Sequence, residues 1–353
     1  MRPEPDAEAV AERILNAALG TIDILAIYLG DRLGWYRSLA RDGPASPSEL
    51  AQRTDTSERY VREWLEQQAI TGLLTVDGSH RFTLPQGSAE VLTDSNSLNY
   101  LAPLARIFAG AAIQLPALHR SYQTGTGVSW SAFGADARES QADMNRPWFE
   151  LELADALGKV PSLTSRLQAE GARIADIGCG AGWSTIALAR MFPMAQVRGF
   201  DIDAESIELA RTNATNATSA GSAVSFEHVD AADLPSAHFD AIFAFECVHD
   251  MPYPVEVLAA ARRALRQDGT VIVMDEAVAA SFAAPGDELE RLMYGFSLLI
   301  CLPDGMAHPD SAGTGTVMRP DTLRRYALGA GFTDVRILPI EDFGFFRFYE
   351  LVP

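Results

Sequence analysis

His249 and Asp250 set an imidazole beside a carboxylate where the apolar run of "FAFECVHDMPYP" breaks, just ahead of two prolines. The carboxyl end of a buried parallel strand is where open α/β sheets bind their ligands. A histidine there reads in two ways: as a satisfied side chain bonding a nearby backbone carbonyl, or as a general base that titrates near neutrality. Asp250 can orient the ring, although neighbours on an extended chain point apart; capping a turn is its plainer role. Glu246 ends the same run and offers its backbone carbonyl to a cationic group, with Phe245 beside it as part of the same ligand contact. Glu276 closes another apolar run, "TVIVMDE". It is a second candidate for catalysis or for orienting His249, a solvated or capping glutamate being the alternative.

A second constellation lies upstream in "RIADIGCGAGWSTIALARMF". Arg173 to Ile177 is a short apolar strand, Gly178, Gly180 and Gly182 alternate after it, and Ser184 begins a helix that ends before Pro193. Glycines at this spacing permit a tight turn and let a ligand meet bare backbone. Asp201 ends the next strand, "AQVRGFDID", 25 residues after Asp176, with Ile202 next to it. In a doubly wound sheet that carboxylate lies beside the glycine turn and can accept hydrogen bonds from both hydroxyls of a ribose. A dinucleotide fingerprint, G-x-G-x-x-G, needs glycine at 183 or 185; Trp183 and Thr185 stand there, and the indole leaves little room for a pyrophosphate.

Both constellations need a parallel sheet to hold them, and from Ala172 onward strands alternate with helices as such a sheet requires. At 353 residues the chain exceeds a single core, so at least two domains are expected. From about Asp6 to Leu39 apolar spacing suggests helices, and the run "ALGTIDILAIYLG", short and interrupted by Asp23, reads as a buried helix rather than a membrane span. A short helix capped by Ser46, a second capped by Thr56 or Ser57, and a hairpin at Asp77-Gly78 follow in the order of a winged helix. Residues from about Thr93 to Pro161 look helical, interrupted by a flexible "TGTGVSW".

Charge bounds the partners. The net charge of −19 repels phosphate backbones and anionic membranes. The second helix of the winged region offers Arg59 and Arg62 but sets Glu58, Glu63 and Glu66 beside them, so no nucleic-acid partner is expected and dimerisation is the favoured role. Cys179, Cys247 and Cys301 form no CxxC pair and give no zinc signature. With no basic segment leading into an apolar signal core, a reducing, cytoplasmic location is expected, with no metal and no membrane.

The glycine loop resembles the G-x-G-x-G of class I S-adenosylmethionine-dependent methyltransferases. Further blocks resemble that superfamily in order. "FEHVDAADLP" matches the third strand, "HFDAIFAFECVHDM" the fourth, "ALRQDGTVIVMDE" the fifth, and "GFTDVRILPI" with "FGFFRFYELV" the closing antiparallel hairpin. The likeness runs from about Ala172 to Pro353. It implies an α/β fold: a Rossmann-like, seven-stranded sheet with an antiparallel last strand, preceded by a mainly helical winged-helix domain. It implies S-adenosyl-L-methionine as cofactor, with Asp230 meeting the adenine amino group, the Ala231 amide the ring edge, and Asp176 and Glu246 the methionyl ammonium. The "HDM" is similar to the "HDW" of plant-type small-molecule O-methyltransferases, in which the histidine deprotonates the acceptor hydroxyl and a winged helix dimerises. The resemblance thus makes His249 the base and the chain a homodimer; Met251 in place of tryptophan departs from the pattern. "GAGWSTIALA", "HDM", "ERLMYGFS" and "GTGTVMRP" also resemble a group of actinobacterial winged-helix methyltransferases.

The expected divisions are residues 1–95 (helical and winged-helix dimerisation), 96–165 (helical linker and lid) and 166–353 (methyltransferase). An insertion after Glu276 is expected to cover a small-molecule acceptor, with Tyr294, Phe296 and Met306 lining its pocket and Arg319 receiving an anionic group or capping a helix. Trp130, Phe133, Trp148 and Phe149 can form the opposite wall, interdomain packing being the alternative. The expected activity is O-methylation of a hydroxyl or phenol. The alternatives are N- or C-methylation without a base, and a winged-helix regulator that senses ligand through the cofactor fold.

Overall fold

The computed structural model describes residues 6–217 and 224–353. They form two compact units, one ending at Ala112 and the other beginning at Ile113.

In the first unit, α1 (Ala7–Arg32) starts on Asp6, whose carboxylate accepts the Ala9 amide at 2.9 Å. The expected short buried helix is instead one continuous helix of 26 residues in which only Gly30 and Asp31 are buried. Ile14, Leu15, Leu19 and Ile22 are each more than half exposed. Apolar residues stand on several faces of α1, and a neighbour can cover only one stripe of a helix. By length and composition α1 is long and apolar enough to cross a membrane. Asp23, within the run, is half-buried and accepts from Gln67 Nε2 at 2.9 Å.

Gly30 is where α1 meets the rest of this unit: a Cβ there would overlap the rings of Trp64 and Tyr36. Trp35 and Tyr36 on α2 (Trp35–Asp42) and Val61, Trp64 and Leu65 on α4 (Glu58–Ile70) fill the core with Leu50 of α3 (Pro47–Thr54). Ser46 caps α3 through a reciprocal box with Glu49, as expected, and Ser57 precedes α4 without a side-chain cap bond. The wing is β1 (Thr75–Val76) paired with β2 (Phe82–Thr83), its turn held by Asp77, which accepts the Ser79 and Arg81 amides at 2.8 and 3.0 Å. On α4, Arg59 and Arg62 pair with Glu63 and Glu58 at 2.5 and 2.7 Å.

The second unit holds a seven-stranded sheet in the order β5-β4-β3-β6-β7-β9-β8. The strands are β3 (Arg173–Ile177), β4 (Gln196–Asp201), β5 (Val224–His228), β6 (Phe239–Phe245), β7 (Leu265–Glu276), β8 (Asp334–Ile337) and β9 (Phe346–Val352). β3 through β7 run parallel and β9 runs antiparallel between β7 and β8. Ile174, Phe243, Phe245, Ile272, Met274 and Phe348 pack on one face, and Ala175, Ile177, Ile242, Ala244, Val271 and Val273 on the other. Burial on both faces explains why these strands read as continuous apolar runs. The strand order reverses at β3, so the carboxyl ends of β3, β4 and β6 open on one crevice.

"TGTGVSW" was expected to be flexible, but it is packed backbone to backbone. A Cβ at Gly127 would overlap Ala307 N and Pro303 O, and the Val128 amide donates to Pro303 O at 2.9 Å. Glycine is used here for close approach rather than for mobility.

Candidate active site

The glycine turn leaves β3 with positive φ at all three expected glycines: 65° at Gly178, 51° at Gly180 and 81° at Gly182. Two of them are forced by packing. A Cβ at Gly178 would lie 2.7 Å from Cys247 Cβ, and one at Gly182 would lie 2.6 Å from the Phe226 ring. At Gly180 nothing lies within 4 Å, so the middle of the turn faces open space. Asp201 closes the turn from β4: Oδ2 accepts the Gly180 amide and Oδ1 the Asp203 amide, each at 2.8 Å. Each oxygen keeps a lone pair for an incoming hydroxyl. Ile202, which follows it, is 60% exposed. Its carbonyl lies 3.0 Å from His228 Nε2, tying the end of β5 to the same rim.

Asp176 is fully buried under the turn, and its Oδ2 accepts from Ser184 and Thr185, both at 2.6 Å. Its Oδ1 has no hydrogen-bond partner. Burial pushes the carboxyl up to about 7 against the two hydroxyl bonds. Asp230 is exposed and caps its own turn through the Ala232 amide at 2.9 Å, with Ala231 buried behind it. Phe245 packs into the core between Phe149 and Phe243, so only its backbone is left to face a ligand. That core position also decides the reading of Phe149, which packs as core of this unit.

Glu246, at φ 51°, turns off the end of β6, and its Oε2 accepts from Gln141 at 2.9 Å and Asn145 at 2.6 Å. Its Oε1 is buried without a partner, and burial raises the carboxyl to about 7. Gln141 and Asn145 sit one turn apart on the helix Trp130–Leu151, whose Arg138 also pairs with Asp203 at 2.8 Å. This helix therefore roofs both the Asp201 rim and the Glu246 turn.

Cys247 bolts the next segment to the glycine turn: it lies against Gly178, and its thiol donates to Ile177 O at 3.2 Å. Two residues on, His249 is 3% exposed, and its Nδ1 lies 2.9 Å from Asp275 Oδ1 and 3.3 Å from Glu276 Oε2. Its Nε2 lies 3.3 Å from Asp250 Oδ1. The chain is not extended here. The Asp250 amide donates back to Cys247 O at 3.2 Å, and that turn brings the neighbouring side chains together instead of splaying them. Burial pulls the imidazole pKa down, but Asp250, Glu276 and Asp275 outweigh it and raise it well above the ordinary value. Burial likewise drives Glu276 well up, whereas the imidazole holds Asp275 below the ordinary range in spite of burial.

The insertion after β7 runs through the helix Glu288–Phe296 into a π-helical turn, Ser297–Cys301, and a short helix, Leu302–Gly305. The π turn carries Cys301 to the imidazole, where His249, Asp250 and Cys301 place ligating atoms within 4.8 Å of one another. Trp130 is held to this segment by its amide, which donates to Asp304 Oδ1 at 2.6 Å, and Phe133 is buried 6.5 Å from it. Met306 packs across Gly313 and Phe296 is buried. Trp148 packs on Phe343 at 5.6 Å, in the loop that enters β9 opposite Glu276. Arg319 is fully engaged: it donates to Ala279 O at 2.5 Å, pairs with Glu290 at 3.2 Å and reaches Tyr294 Oη at 3.4 Å. It precedes the helix Pro320–Gly329 without a side-chain cap bond, so it acts as a clasp on the insertion.

Sequence reasoning missed Asp275, Gln141, Asn145 and Cys301. Asp275 was visible beside Glu276 at a strand end, and the i, i+4 spacing of Gln141 and Asn145 marked one polar helix face. Cys301 carried no signal, since its approach depends on the π turn.

The comparisons divide along the same lines. Residues 168–297 match the family described as "Methyltransferase domain", and residues 21–94 the "Rv2258c-like winged HTH domain". The 27-O-demethylrifamycin SV methyltransferase of Amycolatopsis mediterranei is 33% identical over 148 residues, 40% of this chain and 54% of that one. The O-methyltransferase cnsE of Penicillium expansum is 37% identical over 109 residues, 30% of this chain and 39% of that one. This chain thus spans about half or less of the length of these relatives. Among solved structures, mitomycin 7-O-methyltransferase MmcR superposes with a TM-score of 0.72 at 22% identity, covering 98% of each chain. Human N-acetylserotonin methyltransferase, in complex with SAM, superposes at 0.65 and 20% identity, covering 100% of this chain and 99% of that one. The chain joins a methyltransferase domain, with the methyltransferase fold, to an N-terminal winged HTH domain.

Proposed function

We propose that the protein is an S-adenosyl-L-methionine-dependent methyltransferase that methylates oxygen on a small-molecule hydroxyl or phenol. One observation carries the reading: through Cys247, the glycine turn that can cradle a nucleoside is bolted to the turn that presents His249 and Asp250. The residues fit the cofactor. Gly180 leaves space for it, Asp201 can take its ribose, and the orphaned oxygens of Asp176 and Glu246 suit a cationic methionyl group.

Bound there, S-adenosyl-L-methionine supplies an electrophilic methyl carbon. The protein's part is to align the acceptor oxygen, worth roughly 7–11 kcal/mol in a good near-attack arrangement. Ionising a phenol of pKa about 10 at neutral pH costs roughly 4 kcal/mol, which base assistance of about 10²–10⁴-fold offsets. The acid–imidazole cluster around His249 is the group that removes the proton, with Asp275 and Glu276 holding the ring. An acceptor that is already anionic has no need of it, and the acceptor-side acids of the cluster would repel one. The protein's similarity to the 27-O-demethylrifamycin SV methyltransferase and to mitomycin 7-O-methyltransferase supports oxygen as the methylated atom.

The protein is further read as a cytoplasmic homodimer without a nucleic-acid partner. The apolar faces of α1 give a second copy a surface to bury, and the paired arginines of α4 leave little free positive charge. The reading is tested by calorimetry with S-adenosyl-L-methionine and by release of S-adenosylhomocysteine against phenol, amine and carbon-acid panels. Saturable cofactor binding with turnover confined to hydroxyls is expected. Turnover of amines alone would move the reaction to nitrogen, and absent cofactor binding would remove the activity altogether.

A further inference from the structure

The helix Trp130–Leu151 is interrupted twice. Gly134 stands at φ 75°, ψ −168°, outside helical space, and a Cβ there would meet nothing within 4 Å. Pro147 has no amide with which to close the turn before it, and a proline inside a helix is a point of bending. Between these interruptions lie Arg138, Gln141 and Asn145, spaced to share one helix face. Their partners stand at two strand ends. Arg138 Nε donates to Asp203 Oδ2 at 2.8 Å, just past the end of β4, and Gln141 and Asn145 hold Glu246 at the end of β6. β3 lies between β4 and β6 in the sheet, so the segment 135–146 crosses the glycine turn that leaves β3. Arg146 adds a third contact, its guanidinium 4.4 Å from the ring of Trp183, the first residue of the helix after that turn. The chain before Gly134 is fixed separately, by the Trp130 amide on Asp304 and by Gln114, which donates to Ala132 O at 2.7 Å.

We propose that Arg138 is a positioning residue: it latches residues 135–146 over the cofactor, and the cofactor enters and leaves only when this latch opens. The inference rests on the placing of the cofactor at the glycine turn. The side chains of Arg138 and Asp203 are 9% and 17% exposed, whereas that of Glu205, which Arg138 also meets at 2.6 Å, is 75% exposed. The outer pair is solvated and holds little; the inner pair is the latch. A shielded ion pair adds little net stability over an apolar contact, yet breaking it strands a charge, which suits it to fixing one of two arrangements. The pair also borders the ribose carboxylate, because the Asp203 amide donates to Asp201 Oδ1 at 2.8 Å. Asp203 keeps its place without the arginine: Oδ2 also accepts the Ser206 hydroxyl and amide, at 2.7 and 3.0 Å. Loss of Arg138 should therefore free the helix and leave the rim standing.

Stopped-flow mixing of the full chain with S-adenosylhomocysteine, followed by tryptophan fluorescence, reads both rate constants. In Arg138→Ala, association and dissociation should each quicken by about tenfold or more, the size of one lost charge-assisted hydrogen bond. Kd should stay within about threefold of wild type, because the latch is closed in the free and the bound protein alike. Asp203→Asn removes the charge but keeps a side chain that caps the following helix; it should quicken both rates likewise, and Arg138→Lys should quicken them less than either. The double variant Arg138→Ala/Asp203→Asn should be no faster than the single ones. Rates within about threefold of wild type in both Arg138→Ala and Asp203→Asn would overturn the proposal. So would faster dissociation with unchanged association, which marks a lost contact with the bound molecule rather than a gate. Wild-type protein that binds no S-adenosylhomocysteine would instead remove the cofactor site on which the proposal stands.

Discussion

Asp201→Ala separates the two duties of one carboxylate. In the unliganded chain Asp201 accepts the Gly180 and Asp203 amides at 2.8 Å each. A hydrogen bond to a charged acceptor is worth about 1.5–3 kcal/mol. The side chain is only partly buried and water can replace it, so the low end applies to both bonds. The turn should therefore lose about 3 kcal/mol, which for a unit of this size lowers the melting temperature by roughly 6–12 °C. Two ribose hydroxyls on the same carboxylate add a similar sum to binding, and about 3 kcal/mol is roughly a 100-fold weaker Kd. S-adenosylhomocysteine is the better titrant, because it keeps the ribose and lacks the sulfonium charge. Calorimetry should show the 100-fold loss for Asp201→Ala and about tenfold for Asp201→Asn, which retains one acceptor oxygen. A Kd within threefold of wild type for the alanine variant, even with a lowered melting temperature, would refute the ribose contact and leave Asp201 as a cap on the loop.

Gly180→Ala places a Cβ at φ 51° in open space; folding should survive a cost of about 1–2 kcal/mol while cofactor affinity drops at least tenfold, and unchanged calorimetric affinity would place the cofactor elsewhere. Asp176, Glu246 and Asp304 are raised to about 7, chiefly by burial. The folded chain thus holds protons there that the unfolded chain sheds near pH 4, so stability should fall as pH rises from about 5 to 8. The raised His249 contributes in the same direction, its stabilisation being lost as pH climbs through its folded value. Thermal scans of the unliganded protein that show melting temperature rising steadily across that range would contradict this. Arg319→Met leaves the Glu290 carboxylate with the Ala279 amide at 2.9 Å and should cost about 1.5–3 kcal/mol of stability without changing the preference between neutral and anionic acceptors; a selective loss on anionic acceptors would make Arg319 a binding residue after all.

Much of the site was legible because covalent neighbours fixed it. The glycine turn, Asp201 at the end of the next strand, and the Glu246–Asp250 break at the end of a buried run follow from spacing and strand periodicity. α1 was misjudged for a physical reason: apolar residues announce that a face will be covered, but not whether the cover belongs to the same fold. Arg319 was similarly underdetermined, because its partner Glu290 lies 29 residues away on the insertion helix.

The sequence by itself determined the reaction-bearing scaffold: a parallel sheet, a nucleoside-sized turn free of bulky side chains, and ionisable groups at the strand ends. Tertiary structure alone decided which atoms of that scaffold meet. The backbone turn after Cys247 folds Asp250 against the imidazole, β7 brings Asp275 to the other nitrogen, and the π turn adds Cys301. Those meetings set the proton affinities, because in a buried cluster each group's charge depends on distances between residues far apart in the chain.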